Sequence, residues 1–250
     1  MAGTPGVGEG WAYLSSGTWS LLGIESDKPI ISDLSLKGNY TNEWGVNGTY
    51  RFLKNIMGMW IIQEVQRGLS EFYSFNELVK LAKTVDPFQQ YVDFNDNRFL
   101  KPTDMISEIQ FYCLETKQKV PQTTAELAAC VYYNLAIIYA IALEELEVIA
   151  SKKINRLYIV GGGGQNDFLN QLTADLSNKN ISVGPTEATA IGNILVQMIS
   201  EDEIKDLTMG RKLIAKSFLN KDFVPGDLNL ETLINEFKKI KYMYHRSNLN

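Results

Sequence analysis

Apolar residues recur at two-residue spacing in some stretches of the chain and at three- and four-residue spacing in others, and the two periods divide it into strands and helices. WAYLSS and WSLLGIE read as two strands joined through Gly17 and Thr18, with further short extended segments around Ile30 and Tyr40. That is an antiparallel opening. From Asn55 onward NIMGMWIIQEVQRG has helical spacing, and FNELVKLAKTV predicts a second helix ending just before Asp86 and Pro87. A polar connection rich in Asn and Asp follows. The second half alternates helix (124–150), strand (157–160), helix (167–176), strand (181–183) and helix (187–199), the pattern of parallel strands with crossover helices. Amphipathic helices near 203–218 and 230–240 precede a tail, YMYHRSNLN, that reads as frayed. There is no internal repeat and no low-complexity linker.

The longest apolar run, LAACVYYNLAIIYAIAL (127–143), is broken only by Asn134. A membrane span needs roughly 20 apolar residues. Glu126, Glu144 and Glu145 flank the run, and Thr123 with Glu126 forms a capping box that starts a helix in water. The expectation is a helix buried between the layers of a soluble domain, in which Asn134 requires a buried partner.

At 250 residues and 45% hydrophobic content, the chain can bury one large core or two small ones. A net charge of -5 without a dense basic run offers no footprint for nucleic acid, so small molecules are the expected partners. MAGTPGVGEGW has no basic region followed by an apolar one, which argues against a secretion signal and for a cytoplasmic location. Cys113 and Cys130 lack C-x-x-C spacing and the one histidine, His245, lies in the polar tail, so no zinc site is expected.

Candidate chemistry centres on YIVGGGGQNDFLNQL, in which four glycines stand between a strand and a helix. Backbone N–H groups at such a turn, beside the positive end of a helix dipole, can receive an anionic or flat ligand that a Cβ would push away. Nucleotides fit, although a flexible turn explains the glycines equally well on their own. The dinucleotide fingerprint G-x-G-x-x-G fails, because Asn166 or Asp167 stands at its third glycine according to register. A phosphate loop of the G-x-x-x-x-G-K-[ST] kind fails too, since no lysine follows Gly164.

Taken together, YLSSGTWSLLGIE, YTNEWGVNGTYRFLKNIMGMWIIQE, YIVGGGGQNDFLNQLTADL and GPTEATAIGNI resemble, in order and at compatible spacing, the C-terminal half of the rhamnulokinases, sugar kinases of the FGGY type. The resemblance covers nearly the whole chain. It implies an actin-like, ribonuclease-H-like α/β fold with a mixed sheet flanked by helices, and ATP with Mg2+ in a cleft between two domains. The implied reaction passes a phosphoryl group from ATP to the 1-hydroxyl of L-rhamnulose, with residues 1–250 as the C-terminal nucleotide-binding domain. A related ketose such as fuculose or xylulose, or a non-catalytic binding or interaction domain that inherited the fold, remain alternatives.

Carried over position by position, the resemblance places Gly17 and Thr18 at the ATP phosphates, Gln63 at the nucleotide, Gly162 and Gly163 under the adenosine, Asn166 near the base and Asn55 at the sugar. Without it, Thr18 is a good turn residue and Gln63 belongs to a polar helix face. Asn55 and Gln63, eight residues apart, are expected on one face of a single helix. GPTEATAIGNI is expected to be structural, with Glu187 at a helix start and Ala188, Ala190 and Gly192 permitting close packing. The family's general base is an aspartate in a His-Asp-Thr-Ala-like motif, and none of Asp27, Asp33, Asp86, Asp93, Asp96, Asp104 or Asp167 stands in one. No catalytic residue is therefore assigned in this chain; the base, and an N-terminal sugar-binding domain, are expected upstream of Met1. Some relatives carry cysteines at the spacing of Cys113 and Cys130 close enough to bond, so either a disulfide or two free thiols is open.

Overall fold

The computed structural model describes residues 1–218, 221–226 and 231–247, with side chains to residue 244. The first half comprises β1 (Trp11–Ser16), β2 (Ser20–Ser26), α1 (Asp33–Lys37), β3 (Tyr40–Trp44), β4 (Tyr50–Ile56), α2 (Trp60–Gly68), α3 (Phe75–Ala82) and α4 (Met105–Glu115). The second comprises α5 (Thr124–Ala150), β5 (Arg156–Val160), α6 (Asp167–Ser177), β6 (Asn180–Val183), α7 (Ala188–Ser200), α8 (Leu207–Ser217), β7 (Asp222–Phe223) and α9 (Glu231–Ser247).

One sheet runs in the order β3-β4-β2-β1-β5-β6-β7. The β1–β2, β2–β4 and β3–β4 pairs are antiparallel, whereas β5 runs parallel to both β1 and β6. β1 is thus the seam between an antiparallel half and a parallel run, β1-β5-β6, that ends in antiparallel β7, and it is buried along most of its length. Parallel β1 and β5 must be joined by a crossover, and the segment between β4 and β5 supplies it through α2, α3, α4 and α5.

The apolar helix α5 is the spine of the core. Seventeen of its 27 residues are buried, and the chain layers α2, α3, α6 and α9 around it. Its start is the expected capping box, with Thr123 accepting from the Glu126 N–H and Glu126 accepting from the Thr123 N–H. Asn134, fully buried, accepts from the Val92 N–H at 2.9 Å and donates to the carbonyls of Gln90 at 2.9 Å and Cys130 at 2.8 Å. The single polar residue of the run therefore ties an otherwise irregular connection to the core helix. Cys113 on α4 and Cys130 on α5 are buried free thiols; a hydrogen bond from one to the other, together with burial, pushes Cys130 well above the usual thiol range.

Several expectations fail in instructive ways. NIMGMWIIQ is not one helix, because β4 continues through Ile56, with Asn55 opposite Leu21 and Ile56 opposite Ser20. Pairing along β2 overrides the helical spacing there. Gly58 then turns the chain against β2, where a Cβ would lie 2.2 Å from Ser20 Oγ, and the helix starts only at Trp60. Ile30 is not in a strand, and a short helix capped by Ser32 follows it. The polar connection hides α4, whose N-cap Asp104 accepts from the N–H groups of Ile106 and Ser107. The tail read as frayed is helical to Ser247, and residues 248–250 lie outside the described residues.

Two stability measurements follow. Asn134→Leu keeps the branched skeleton but strands the Val92 N–H and Gln90 carbonyl in the core, at about 1–3 kcal/mol for each orphaned group; urea unfolding is expected to show a loss of about 2–4 kcal/mol. The Lys119 ammonium, then the N–H groups of Gln122 and Thr123, pull the Glu126 carboxyl down to about 2. A depressed carboxyl stabilises the fold above its unfolded value and loses that contribution as pH falls through the folded one. Glu126→Gln is expected to cost about 1 kcal/mol at pH 7, with the gap between the two proteins closing as pH drops from 4.5 toward 2.

Candidate functional site

The carboxyl ends of parallel β1 and β5 lie side by side, with Ser15 opposite Val160. In open α/β sheets this edge is where ligands bind. The chain leaves β1 through the Gly17–Thr18 turn and leaves β5 through Gly161–Asn166, while Ser16, Ser20 and Ile56 stand in one row across β1, β2 and β4. Beneath the hairpin the buried Ser20 hydroxyl shares a 2.7 Å hydrogen bond with Tyr139 of α5, whose hydroxyl burial pushes up to about 12.

The four glycines do different jobs. Gly161 has φ +91°, and a Cβ there would lie 2.6 Å from the Ser16 carbonyl oxygen. A Cβ on Gly163 would lie 2.0 Å from Ser16 Oγ. These two are glycines because the turn packs directly on β1. Gly164 is buried, and a Cβ there would lie tightly, 3.3 Å from Val183 Cγ1 and 3.4 Å from Ile159 Cγ2; Gly162 alone of the four is exposed, with nothing within 4 Å of where a Cβ would be. A row of four bare residues under a flat ring is therefore not what the fold presents; Gly162 is the open position. The turn is rigid, since Asn170 Nδ2 donates to the Gly164 carbonyl at 2.8 Å and Gln165 Nε2 to Thr186 Oγ1 at 3.1 Å. Asn166 Oδ1 accepts from the Leu169 N–H at 3.0 Å and so caps α6.

A groove of about 470 Å³ opens along this turn. Gly162, Gly163, Gln165, Asn166 and Phe168 form one wall, Met59 the end, and Phe75, Asn76, Val79 and Lys83 on and beside α3 the other wall. The Lys83 ammonium lies 5.0 Å from the centre of the Phe168 ring. The hairpin turn adjoins the groove through Met59, whose N–H donates to the Gly17 carbonyl at 3.1 Å, while Trp60 donates to the Thr18 carbonyl at 3.0 Å. Those bonds satisfy early N–H groups of α2 that no side chain caps. One turn further along α2, Gln63 meets Thr18, whose exposed hydroxyl donates to Gln63 Oε1 at 3.5 Å.

Five of the sequence-predicted contacts are thus gathered by the hairpin and glycine turns: Thr18 with Gln63, and Gly162, Gly163 and Asn166 in the groove. Gly17 is joined to them by its bond to Met59. Asn55 is not on α2 and does not line the groove; it is exposed near the end of β4. The α3 wall was missed, and the only signal in that stretch, the Ser74–Glu77 capping box, announces a helix and not a ligand. In GPTEATAIGNI, Gly192 permits the expected close packing by admitting the backbone of Gly3, where a Cβ would come within 2.7 Å of the Gly3 nitrogen. Among the described residues no three His, Cys, Asp or Glu side chains group to hold a metal ion.

The family described as the FGGY family of carbohydrate kinases, C-terminal domain, matches residues 12–201. The rhamnulokinase of Bacillus subtilis (strain 168) is 57% identical over 235 residues, covering 94% of this chain and 48% of that protein. The rhamnulokinase of Enterococcus faecalis (strain ATCC 700802 / V583) is 54% identical over 220 residues, or 87% of this chain and 44% of that protein. The chain spans about half the length of these curated relatives. Among solved structures, xylulose kinase from Rhodospirillum rubrum superposes with a TM-score of 0.69 at 13% identity, over 98% of this chain and 48% of that one. Gluconate kinase from Lactobacillus acidophilus gives 0.66 at 16% identity, over 98% and 49%. Plasmodium falciparum glycerol kinase, solved with ADP, gives 0.58 at 13%, over 95% and 46%. At such identities these likenesses show the fold, the actin-like, ribonuclease-H-like arrangement of a mixed sheet flanked by helices.

The division of labour among the glycines is measurable. Gly163→Ala forces its methyl into Ser16 and is expected to cost about 1–3 kcal/mol in urea unfolding, whereas Gly162→Ala stays within about 0.5 kcal/mol of the parent. Ser16→Gly placed in the Gly163→Ala background is expected to return part of the loss. Equal losses at both glycines would refute the assignment.

Proposed function

This chain belongs to the FGGY family of carbohydrate kinases, and from that premise we propose that it is the C-terminal, nucleotide-binding domain of an ATP-dependent kinase that phosphorylates the 1-hydroxyl of L-rhamnulose. The observation that carries the reading is the meeting of the Gly17–Thr18 hairpin and the Gly161–Asn166 turn at the carboxyl ends of β1 and β5, beside an open groove. Six rhamnulokinases that are 47–57% identical to this chain support the substrate.

In this reading the adenine lies on the bare backbone of Gly162. Asn166 has committed its oxygen to the cap of α6, so it presents Nδ2, a donor, to a ring nitrogen of the base. The Thr18 hydroxyl turns from Gln63 to a phosphate oxygen, and Gln63 is released to the nucleotide. Phosphoryl transfer depends on donors and positioning more than on covalent chemistry, which is what a tight hairpin with a free hydroxyl supplies. Asn55, at the same edge of the sheet, offers an amide that can donate to and accept from a polyol. The domain carrying the general-base aspartate and the rest of the sugar pocket belongs to the other half of the protein, the half that the relatives have and this chain does not span. Magnesium, when bound, would neutralise charge on the triphosphate; with no grouped carboxylates among the described residues, it would be held by phosphates and water, and no residue of this chain is assigned to it. A cytoplasmic location fits the reading, and the one long apolar helix among the described residues is buried in the core.

Ligand-detected NMR with ATP and magnesium tests the nucleotide half of the proposal. Saturable binding in the millimolar range is expected, since one wall of a cleft buries little of a ligand, and Gly162→Ala and Thr18→Val should each weaken it several-fold without loss of fold. No binding by folded protein at millimolar ATP would reject the site. A coupled assay for ADP release tests the reaction: residues 1–250 alone are expected to be inactive, for a positioned carboxylate base is worth about 10²–10⁴-fold. Joined to the N-terminal half its relatives carry, the chain should show turnover that requires L-rhamnulose. Turnover by the isolated chain would place the base among its own aspartates.

A further inference from the structure

We propose that Tyr139 is a positioning residue for the nucleotide site: from beneath the sheet edge its hydroxyl holds the Gly17–Thr18 hairpin and the Gly161–Asn166 turn in one geometry, although it touches no ligand. The inference rests on the nucleotide reading above and adds to it the residue that joins the two turns.

Ser16 and Ser20 are register partners across the mouth of the β1–β2 hairpin, so their side chains leave the same face of the sheet as a close pair. Both are buried, at 2% and 0% exposure. Each hydroxyl fills the space that a glycine of a different turn leaves bare. Ser16 Oγ stands where a Cβ on Gly163 would come within 2.0 Å, and Ser20 Oγ where a Cβ on Gly58 would come within 2.2 Å. Gly163 belongs to the turn after β5, and Gly58 to the bend that starts α2 and leads to Met59 and Gln63. The rotamers of two serines thus set how closely both turns approach the ends of β1 and β2.

One group bonds to both serines. The Tyr139 hydroxyl shares a 2.7 Å hydrogen bond with Ser20 Oγ and has Ser16 as its second hydroxyl partner, and Tyr139 itself is only 1% exposed. A different staggered position for either serine would give up that bond inside the core, where an unmet hydroxyl is costly. The backbone of the hairpin does not need the contact. Gly17 donates to the Trp19 carbonyl at 2.9 Å, and the early N–H groups of α2 close on the carbonyls of Gly17 and Thr18. What the hydroxyl adds is a common reference: α5 is capped at its start and packed by several helices, so a bond from it to both serines registers the two turns against one rigid element.

Tyr139→Phe removes the hydroxyl and keeps the ring that packs around it. In residues 1–250 it is expected to speed hydrogen exchange several-fold at both turns, with the β3–β4 ladder unchanged. The reporting amides are Met59 and Trp60, bonded to Gly17 and Thr18, and Gly164 and Asn166, bonded to Gly161 and Gly163. Affinity for ATP with magnesium, followed by ligand-detected NMR, should fall several-fold. Ser20→Ala breaks the same bond from the other side, so it should reproduce the loss of affinity, and the double variant should bind ATP no more weakly than the weaker single one. It also serves as the test should Tyr139→Phe fail to fold. A hydroxyl that served stability alone would lower the urea midpoint and leave ATP affinity and the relative exchange of the turns at parent values. That result, faster exchange at one turn only, or additive losses of affinity in the double variant would each overturn the proposal. If the parent chain binds no ATP, the nucleotide reading fails, and the exchange comparison alone then supports or overturns the hold of Tyr139 on the two turns.

Discussion

Ser16 leaves no room for a side chain at positions 161 and 163, and that close approach organises the rest of the site. Because the turn after β5 lies directly on the end of β1, the two parallel strands deliver their exits to one place. The turn then leads into α6, the crossover that returns the chain to parallel β6, and Asn166 caps it. Asn170 reaches back to the Gly164 carbonyl and closes the unit. A side chain at either glycine would lift the turn off β1 and widen everything built on it. The glycines that matter most for shape are thus not the one that is open to a ligand.

A second constraint acts on the other side of β1. The hairpin turn lends the carbonyls of Gly17 and Thr18 to the start of α2, a helix without a capping side chain of its own. That loan positions Gln63 beside Thr18 and Met59 beside the glycine turn. It works only because Gly58 lets the chain double back against Ser20. Strand, turn and helix start are held by backbone hydrogen bonds, which are short-ranged and directional, so the polar groups at the sheet edge keep their geometry before any ligand arrives. The core helix α5 backs this edge through Tyr139, and its Asn134 brings the connection that precedes α4 onto the same scaffold.

The two ends of β1 differ in kind. At its carboxyl end, backbone and amide groups, the Phe168 ring, Lys83 and Asp167 surround an open groove. At its amino end, a buried guanidinium, two lysines and three carboxylates surround a second cavity. A central strand buried along most of its length is stiff, which makes it a fixed ruler between the two.

Local pattern was enough to determine the layers of this protein. The α5 span, its Thr123–Glu126 start, the β5–α6–β6–α7 alternation and the need of Asn134 for a partner all follow from spacing and from the cost of burying a lone amide, which act over a few residues. The glycine run and the polar residues at Thr18, Gln63 and Asn166 were legible as candidates for the same reason: a bare turn and an amide or hydroxyl advertise their chemistry wherever they stand. Only the tertiary structure decided that Asn55 ends a strand, because pairing with Leu21 across β2 is a contact between distant residues that outweighs helical spacing. It also decided which glycines are spent on Ser16, that α3 forms the far wall of the groove, and that the guanidinium of Arg211, two hundred residues along the chain from Trp11, packs against its ring. Such facts depend on what stands across the gap, and a one-dimensional pattern holds no record of it.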